Sequence, residues 1–325
     1  MPVAVTVGVY NEEQRLGGLL DALLKQTRPA DEVVIVDDGS TDRTQAVARD
    51  WVRADSRFCV LRQDNRGPAA ARNRAWRSAN ADICVFTDGD CVPEANWLEE
   101  LLKPFSDPSV GAVGGTYKTI NTHSVLARFI GWEIAWRYRK VQGEIEVHGT
   151  YNLAVRRSVL EEVGGLDESY PKASGEDWDM TYKISKAHKI IYVPTAVVGH
   201  YHPERFWWYM RNQARRAYDR IKVYRDHPER RERDNYTPAV TKYQIAASGA
   251  LMPSLIFLYP FFPGNCLLPV GLALFLLWTA LLPFPFIFGK DKPAAVLSIP
   301  VQLARNFAWF AGCIHGVVTF GTKKP

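Results

Sequence analysis

The chain has 325 residues, enough for one large domain or two small ones, with a net charge of +5 and 23% charged residues. That balance is too mild for a polyanion-binding protein. Its five cysteines (Cys59, Cys84, Cys91, Cys266 and Cys313) are odd in number and form no CxxC pair, which excludes a disulfide framework and a zinc knuckle. Met1-Pro2 runs directly into an apolar strand pattern, so no signal peptide is read there.

Strand and helix patterns then alternate. In chain order they are VAVTVGVY (3–10), a helix over Glu12–Gln26, EVVIVDD (32–38), a helix over Thr41–Val52, FCVLRQ (58–63), a helix over Pro68–Ser78, ICVFTD (83–88) and a helix over Glu94–Lys103. Short buried strands alternating with helices predict an α/β fold with a mostly parallel, doubly wound sheet. Such sheets bind ligands beyond the carboxyl ends of their strands. The polar residues collect there: Asn11-Glu12 after the first strand, Asp37-Asp38 after the second, Asp88 and Asp90 after the fourth.

Two carboxylates around one glycine repel unless a positive group stands between them. An Asp-Gly turn is the structural alternative for Asp88-Gly89-Asp90. No GxxxxGK[ST] or GxGxxG phosphate loop is present. Acids at three strand ends instead suit a hard divalent cation, Mg2+ or Mn2+, bridging Asp90 and Asp88 to a diphosphate.

Past the alternating strands and helices, His200 to Tyr236 is basic and aromatic. Ten Arg and Lys lie from Arg205 to Arg233, interleaved with Phe206, Trp207, Trp208, Tyr209, Tyr218 and Tyr224. Nucleic-acid binding is the alternative, but the position before an apolar stretch favours a membrane interface. From Tyr243 to Gly289 there is no Asp, Glu, Lys or Arg. FPGN splits that stretch into two segments, Tyr243–Phe262 and Cys266–Phe288, each about 20 residues, the length of a membrane crossing. A third segment, Ala294–Phe320, spans, re-enters or lies in the interface, since it carries Arg305, Asn306 and His315. Lys290 and Lys292 and the basic tail before the first crossing place the first 240 residues in the cytoplasm. The expected organisation is a catalytic domain over 1–200, basic aromatic helices over 201–240 and an integral membrane region over 241–325, plausibly of the plasma membrane.

The motifs VGVYNEE (7–13), VVIVDDGSTDRT (33–44), RGPAAARNRA (66–75), FTDGDCVP (86–93) and GEDWDM (175–180), in this order, resemble the family 2 glycosyltransferases, which have the GT-A nucleotide-diphosphosugar-binding fold. The resemblance covers about residues 1–220. It implies an inverting transfer from a UDP- or GDP-sugar to a lipid-linked or glycan acceptor, with a processive polysaccharide synthase as the alternative. Val9, Tyr10, Asn11, Glu12, Asp38, Gly67, Arg72, Asp88, Gly89 and Asp90 would bind the nucleotide-sugar, with Asp38 accepting from the base. The DxD pair corresponds to Asp88 and Asp90, with His202 as a further metal ligand and His200 as its alternative. Gly89 departs from the residues usual between the two acids, which raises the question of backbone flexibility.

Asp177 resembles the family's general base, with Glu176 and Asp179 orienting it or raising its pKa. Asn152, Trp178, Gln213 and Arg216 would contact the acceptor or the diphosphate, and Tyr151 would lie near them. QARRAY resembles the QxxRW signature of processive synthases, but Ala217 stands in the Trp position. Ser40 or Thr41 is expected to cap the helix after the second strand.

Overall fold

The computed structural model describes residues 1–170, 172, 174–230, 237–255 and 267–321. The chain divides into two compact units, Met1–Ile120 with Val141–Tyr201, and Asn121–Lys140 with His202–Pro325. In chain order the elements begin β1 (Val3–Val9), α1 (Leu16–Leu24), β2 (Glu32–Asp37), α2 (Thr44–Ala54), β3 (Phe58–Arg62), α3 (Pro68–Ser78) and β4 (Ile83–Asp88). Next come β5 (Cys91–Pro93), α4 (Trp97–Leu102), β6 (Val110–Thr119), α5 (Val125–Tyr138), β7 (Gly143–Ile145), β8 (Asn152–Arg156) and α6 (Arg157–Val163). The chain continues with α7 (Glu176–Ile184), β9 (Lys189–His200), α8 (Phe206–Asp226), α9 (Val240–Pro253), α10 (Leu267–Ala280), α11 (Phe284–Phe288) and α12 (Lys292–Phe320).

The first unit is built on one sheet, ordered β3-β2-β1-β4-β8-β6-β9-β5, with β7 beside β9. β1 pairs in parallel with β2 and β4, and β2 with β3. Their Val- and Ile-rich sequences are buried on both faces, as strands covered by helices on each side must be. The expected mostly parallel sheet holds only for this half. β8 runs antiparallel to β4 and to β6, and β5 antiparallel to β9, while β6 and β9 are parallel. The strands of the second half do not follow the strand–helix alternation that identified the first four.

Local chemistry explains where the helices begin. α3 begins at Pro68, whose fixed φ and missing N–H suit a first turn. α1 begins four residues later than its apolar pattern predicts, because Asn11 adopts a left-handed φ of 56° and residues 12–15 form a turn. α2 starts at Thr44, not Thr41, and neither Ser40 nor Thr41 caps it: Asp42 Oδ1 accepts from Thr44 N at 2.9 Å. Ser40 Oγ accepts instead from Asn11 N at 3.0 Å, joining the loops after β1 and β2.

The second unit is helical. α5, α8, α11 and α12 share a core that includes Leu126, Phe129, Ile130, Tyr209, Met210, Ile287 and Val301. α8 and α12 approach closely, since any Cβ at Gly312 would strike the Ala214 carbonyl and lie 3.0 Å from the Ala217 Cβ. Small residues permit such contact between helices. Among the described residues one helical run, Leu267–Phe288, is long and apolar enough to cross a membrane. The expected segment Tyr243–Phe262 begins within α9, but its residues 256–262 lie outside the described residues. Ala294–Phe320 falls within α12, where Arg305 and Asn306 are buried.

A carboxylate-lined cavity at the strand ends

Beyond the carboxyl ends of β1, β2 and β4 opens a cavity of about 660 Å3, within the range of small-molecule sites. Its wall carries Val9, Tyr10, Glu12, Asp38, Gly67, Arg72, Asp88, Gly89 and Asp90, together with Lys172 and His200. Asn11 is exposed and is not part of this wall. Its side-chain oxygen accepts from Thr41 N at 2.8 Å, and the next amide, Glu12 N, donates to Thr44 Oγ1 at 2.7 Å.

Asp38 is 3% exposed and its oxygens are already engaged. Oδ1 accepts from Gln63 Nε2 at 2.7 Å and Arg66 N at 2.9 Å, and Oδ2 accepts from Gly67 N at 2.8 Å. This carboxylate therefore fixes the segment leading into α3 as well as lining the cavity. Gly89 is explained by close approach, since a Cβ there would lie 2.9 Å from Val9 Cγ1 and 3.3 Å from Glu12 Cγ. The glycine between the two acids is a packing requirement and needs no flexible backbone.

Arg72 is buried and bridges two motifs: Nη2 donates to Asp88 Oδ1 at 2.6 Å and Nη1 to Glu176 Oε1 at 3.0 Å. Burial opposes its charge, but Asp88 and Glu176 outweigh that and hold the guanidinium protonated more firmly than usual. Glu176 also accepts from Ser174 N at 2.8 Å and Gly175 N at 3.0 Å. With both oxygens occupied, Glu176 acts here as a clamp. Asp179 pairs with Lys183 on its own helix at 2.6 Å.

Asp177 and Trp178 follow Glu176 on the first turn of α7, off the cavity wall. Asp177 Oδ1 accepts from Trp178 N at 2.8 Å, its other oxygen lies 3.2 Å from the Cβ position of Gly149, and its charge bears on Arg72. Trp178 meets Tyr182 edge-on at 5.9 Å.

Three acids on one wall disturb one another. Burial, then Asp90 and Asp88, push the Glu12 carboxyl up to about 7, against the opposing pull of Arg15. Burial also raises Asp90, which stands 3.8 Å from His200 Nε2 and 3.7 Å from Arg15 Nη1. Among the described residues, ligand atoms of Asp88, Asp90, Cys91 and His200 lie within 4.8 Å of one another. Burial keeps the Cys91 thiol far above its usual range, leaving two carboxylates and an imidazole. That oxygen and nitrogen set fits Mg2+ or Mn2+.

His200, rather than His202, therefore joins the acids. β5 pairs with β9 in a register that sets Cys91 opposite His200, whereas the strand has ended before His202. His202 is buried in the helical unit, with its backbone bonded to the Asn121 side chain at 2.8 and 3.0 Å.

Three further expectations are corrected. Asn152 is fully buried in β8: Oδ1 accepts from Trp97 Nε1 at 2.8 Å, and Nδ2 donates to the Thr116 and Ala196 carbonyls at 2.9 Å. It stitches the sheet and has no reach left for an acceptor. Tyr151 stacks on Tyr117 at 3.8 Å as part of the core. Gln213 is buried against α12, accepting from Trp309 Nε1 at 3.0 Å; Arg216 is exposed, which leaves its expected contact standing. Ala217 is small because Gly312 packs on it. Sequence reading missed Arg15 and Lys172; neither belongs to a motif, and only the folded loops bring them to the acids.

Residues 4–164 match the description "Glycosyl transferase family 2". The chain is 31% identical over 198 residues to glycosyltransferase AglE of Haloferax volcanii, covering 58% of this chain and 65% of AglE. It therefore spans less than two thirds of that relative. It is also 31% identical over 216 residues to the O-antigen chain rhamnosyltransferase RfbN of Salmonella typhimurium, covering 62% of this chain and 67% of RfbN. Among solved structures, mannosyltransferase PcManGT from Pyrobaculum calidifontis, in complex with GDP-Man and Mn2+, matches with a TM-score of 0.62 at 22% identity. That likeness covers 99% of this chain and 88% of the other, and concerns the fold alone. Sequence match and sheet topology agree: the chain belongs to glycosyl transferase family 2.

Proposed function

We propose that this protein is an inverting glycosyltransferase that moves a sugar from a UDP- or GDP-sugar to a lipid-linked acceptor at the cytoplasmic face of a membrane. The observation that carries the reading is the cavity at the strand ends, where Asp88, Asp90 and His200 converge below Glu12 and Asp38. Family membership supports the reaction class. The GDP-Man and Mn2+ held by PcManGT recommend those probes.

In this reading Tyr10 and Asp38 border the nucleotide, and Asp38 keeps the segment at Gly67 in place to receive it. A cation held by Asp88, Asp90 and His200 would supply positive charge to the diphosphate oxygens. Arg72 keeps Asp88 and Glu176 in register, so the acceptor-side helix α7 and the donor-side acids share one anchor. Asp177, off the cavity wall but on the helix that Arg72 anchors, takes the proton of the attacking hydroxyl. With a lipid-phosphate acceptor there is no proton to remove, and Asp177 then orients the oxygen.

The membrane part of the proposal draws on Leu267–Phe288 and on α8, whose Trp207 and Trp208 are 80% and 55% exposed and which also carries the exposed Arg211 and Arg216. Aromatic and basic residues of this kind favour the headgroup layer.

Thermal-shift screening with UDP-, GDP- and dTDP-sugars, with and without Mn2+, tests the donor. One sugar nucleotide raises the midpoint, and only with the cation, because a ligand of the native state stabilises it. Asp177→Asn keeps that shift and lowers turnover by about 10²–10⁴-fold. Failure of every donor to shift the midpoint overturns the reading, and faster turnover of a soluble sugar acceptor overturns the lipid part.

A further inference from the structure

Arg72 and Asn73 are neighbours on α3, and each holds residues later in the chain: Asn73 holds Leu166 and Glu168, and Arg72 holds Glu176. Asn73 is 1% exposed. Oδ1 accepts from Leu166 N at 3.0 Å, and Nδ2 donates to Leu166 O at 2.8 Å and to Glu168 Oε1 at 2.9 Å. Glu168 is tied further to α3 and its approach by Arg66 at 2.9 Å and Arg77 at 3.5 Å. Further along, Glu176 accepts from the Ser174 and Gly175 amides and from Arg72.

Between these ties lies Lys172, which lines the acidic cavity with Asp88, Asp90 and His200. Glu12, Asp38, Asp88 and Asp90 give the wall four carboxylates, and Arg72 is already committed to Asp88 and Glu176. Among the described residues no ion pair engages Lys172. A lysine is a compact charge on a flexible stem, suited to follow a phosphate rather than hold a fixed plane.

We infer that Lys172 contacts the diphosphate of the donor and neutralises the charge that grows on it as the sugar leaves. Asn73, which holds Leu166 and Glu168, is the positioning residue. The inference rests on the donor reading above. In the step concerned, the bond from the anomeric carbon to the β-phosphate oxygen breaks and the bond to the acceptor oxygen forms. The acceptor proton passes to Asp177, and the nucleoside diphosphate leaves with one more negative charge than it carried as the sugar ester. A cation placed at that oxygen acts mainly in the transition state and on the product.

The test compares wild type, Lys172→Ala, Lys172→Arg and Asn73→Ala, as the full chain in detergent with Mn2+. Affinities for UDP and GDP are measured against those for UMP and GMP, together with kcat and donor KM. In Lys172→Ala the diphosphates lose about 10-fold in affinity, the monophosphates keep theirs, and Lys172→Arg recovers most of the loss. kcat falls by about 10- to 100-fold, more than KM changes. Asn73→Ala shows the same diphosphate-selective loss, and if that variant does not fold the two Lys172 variants decide.

Unchanged diphosphate affinity and kcat in Lys172→Ala overturn the inference, and so does an equal loss for mono- and diphosphates, which marks a merely structural residue. Wild type binding neither UDP nor GDP sinks the donor reading itself.

Discussion

Glu12, half-buried, and Glu133, buried, are the same residue type in two different units, and their carboxyls are driven in opposite directions. At the strand ends Glu12 is raised to about 7 by burial and by Asp90 and Asp88. In the helical unit burial would likewise raise Glu133. There Arg305 meets both of its oxygens at 2.6 and 2.7 Å and Arg137 adds a third bond at 2.9 Å, holding the carboxyl at about 2. A charge that is fully paired serves the fold. A set of charges left in mutual repulsion is a place prepared for something else, and such groups gather at functional sites.

Replacing one acid in each unit separates these roles. Asp90→Asn should lower donor turnover by at least about 10²-fold, since a bound cation supplies several kcal/mol of charge stabilisation. The unliganded protein should melt no earlier at pH 8. Asp90's folded-state pKa is raised, so its stabilising contribution is present at low pH and lost as pH rises, and the neutral side chain removes that penalty. A clear fall in the midpoint would show that Asp90 is structural after all.

Glu133→Ala should do the reverse to stability, costing about 3–5 kcal/mol by leaving the buried Arg305 guanidinium without its carboxylate. Denaturation in detergent measures this, and a loss below 1 kcal/mol would break the contrast.

The finest effect is in pH. Burial first and Asp90 second push the Glu12 carboxyl up to about 7, and a cation beside Asp90 relieves the second of these. Mn2+ affinity should therefore rise with pH by up to about 10-fold per unit below 7, where the cation must expel the proton, and level off above it. Calorimetric titration of wild type and Glu12→Gln reads the slope. A profile that persists in the variant assigns the proton elsewhere.

What the sequence revealed follows the range of the forces involved. β4 and α3 could be bounded to the residue, because an apolar β-branched run and a proline at the first turn are local signals. α1 could not, because its late start follows from the left-handed Asn11, which Ser40 and Thr41 hold from another loop. The acids of the cavity were legible as polar residues ending buried strands. Choosing His200 over His202 needed the pairing of Cys91 with His200, a tertiary fact. Asn152 looked free in sequence because its three partners come from α4, β6 and β9. Ala217 looked like a lost aromatic, while its size is set by Gly312, almost a hundred residues on in α12.

One guanidinium, that of Arg72, serves Asp88 and Glu176 at once. Redesign of donor preference through Asp88 cannot be done in isolation: releasing one of its two grips shifts the other, and the helix bearing Asp177 will register the change. Variants selected for a new ligand at this cavity should accordingly come with second mutations near residue 176, far along the chain from where selection was applied.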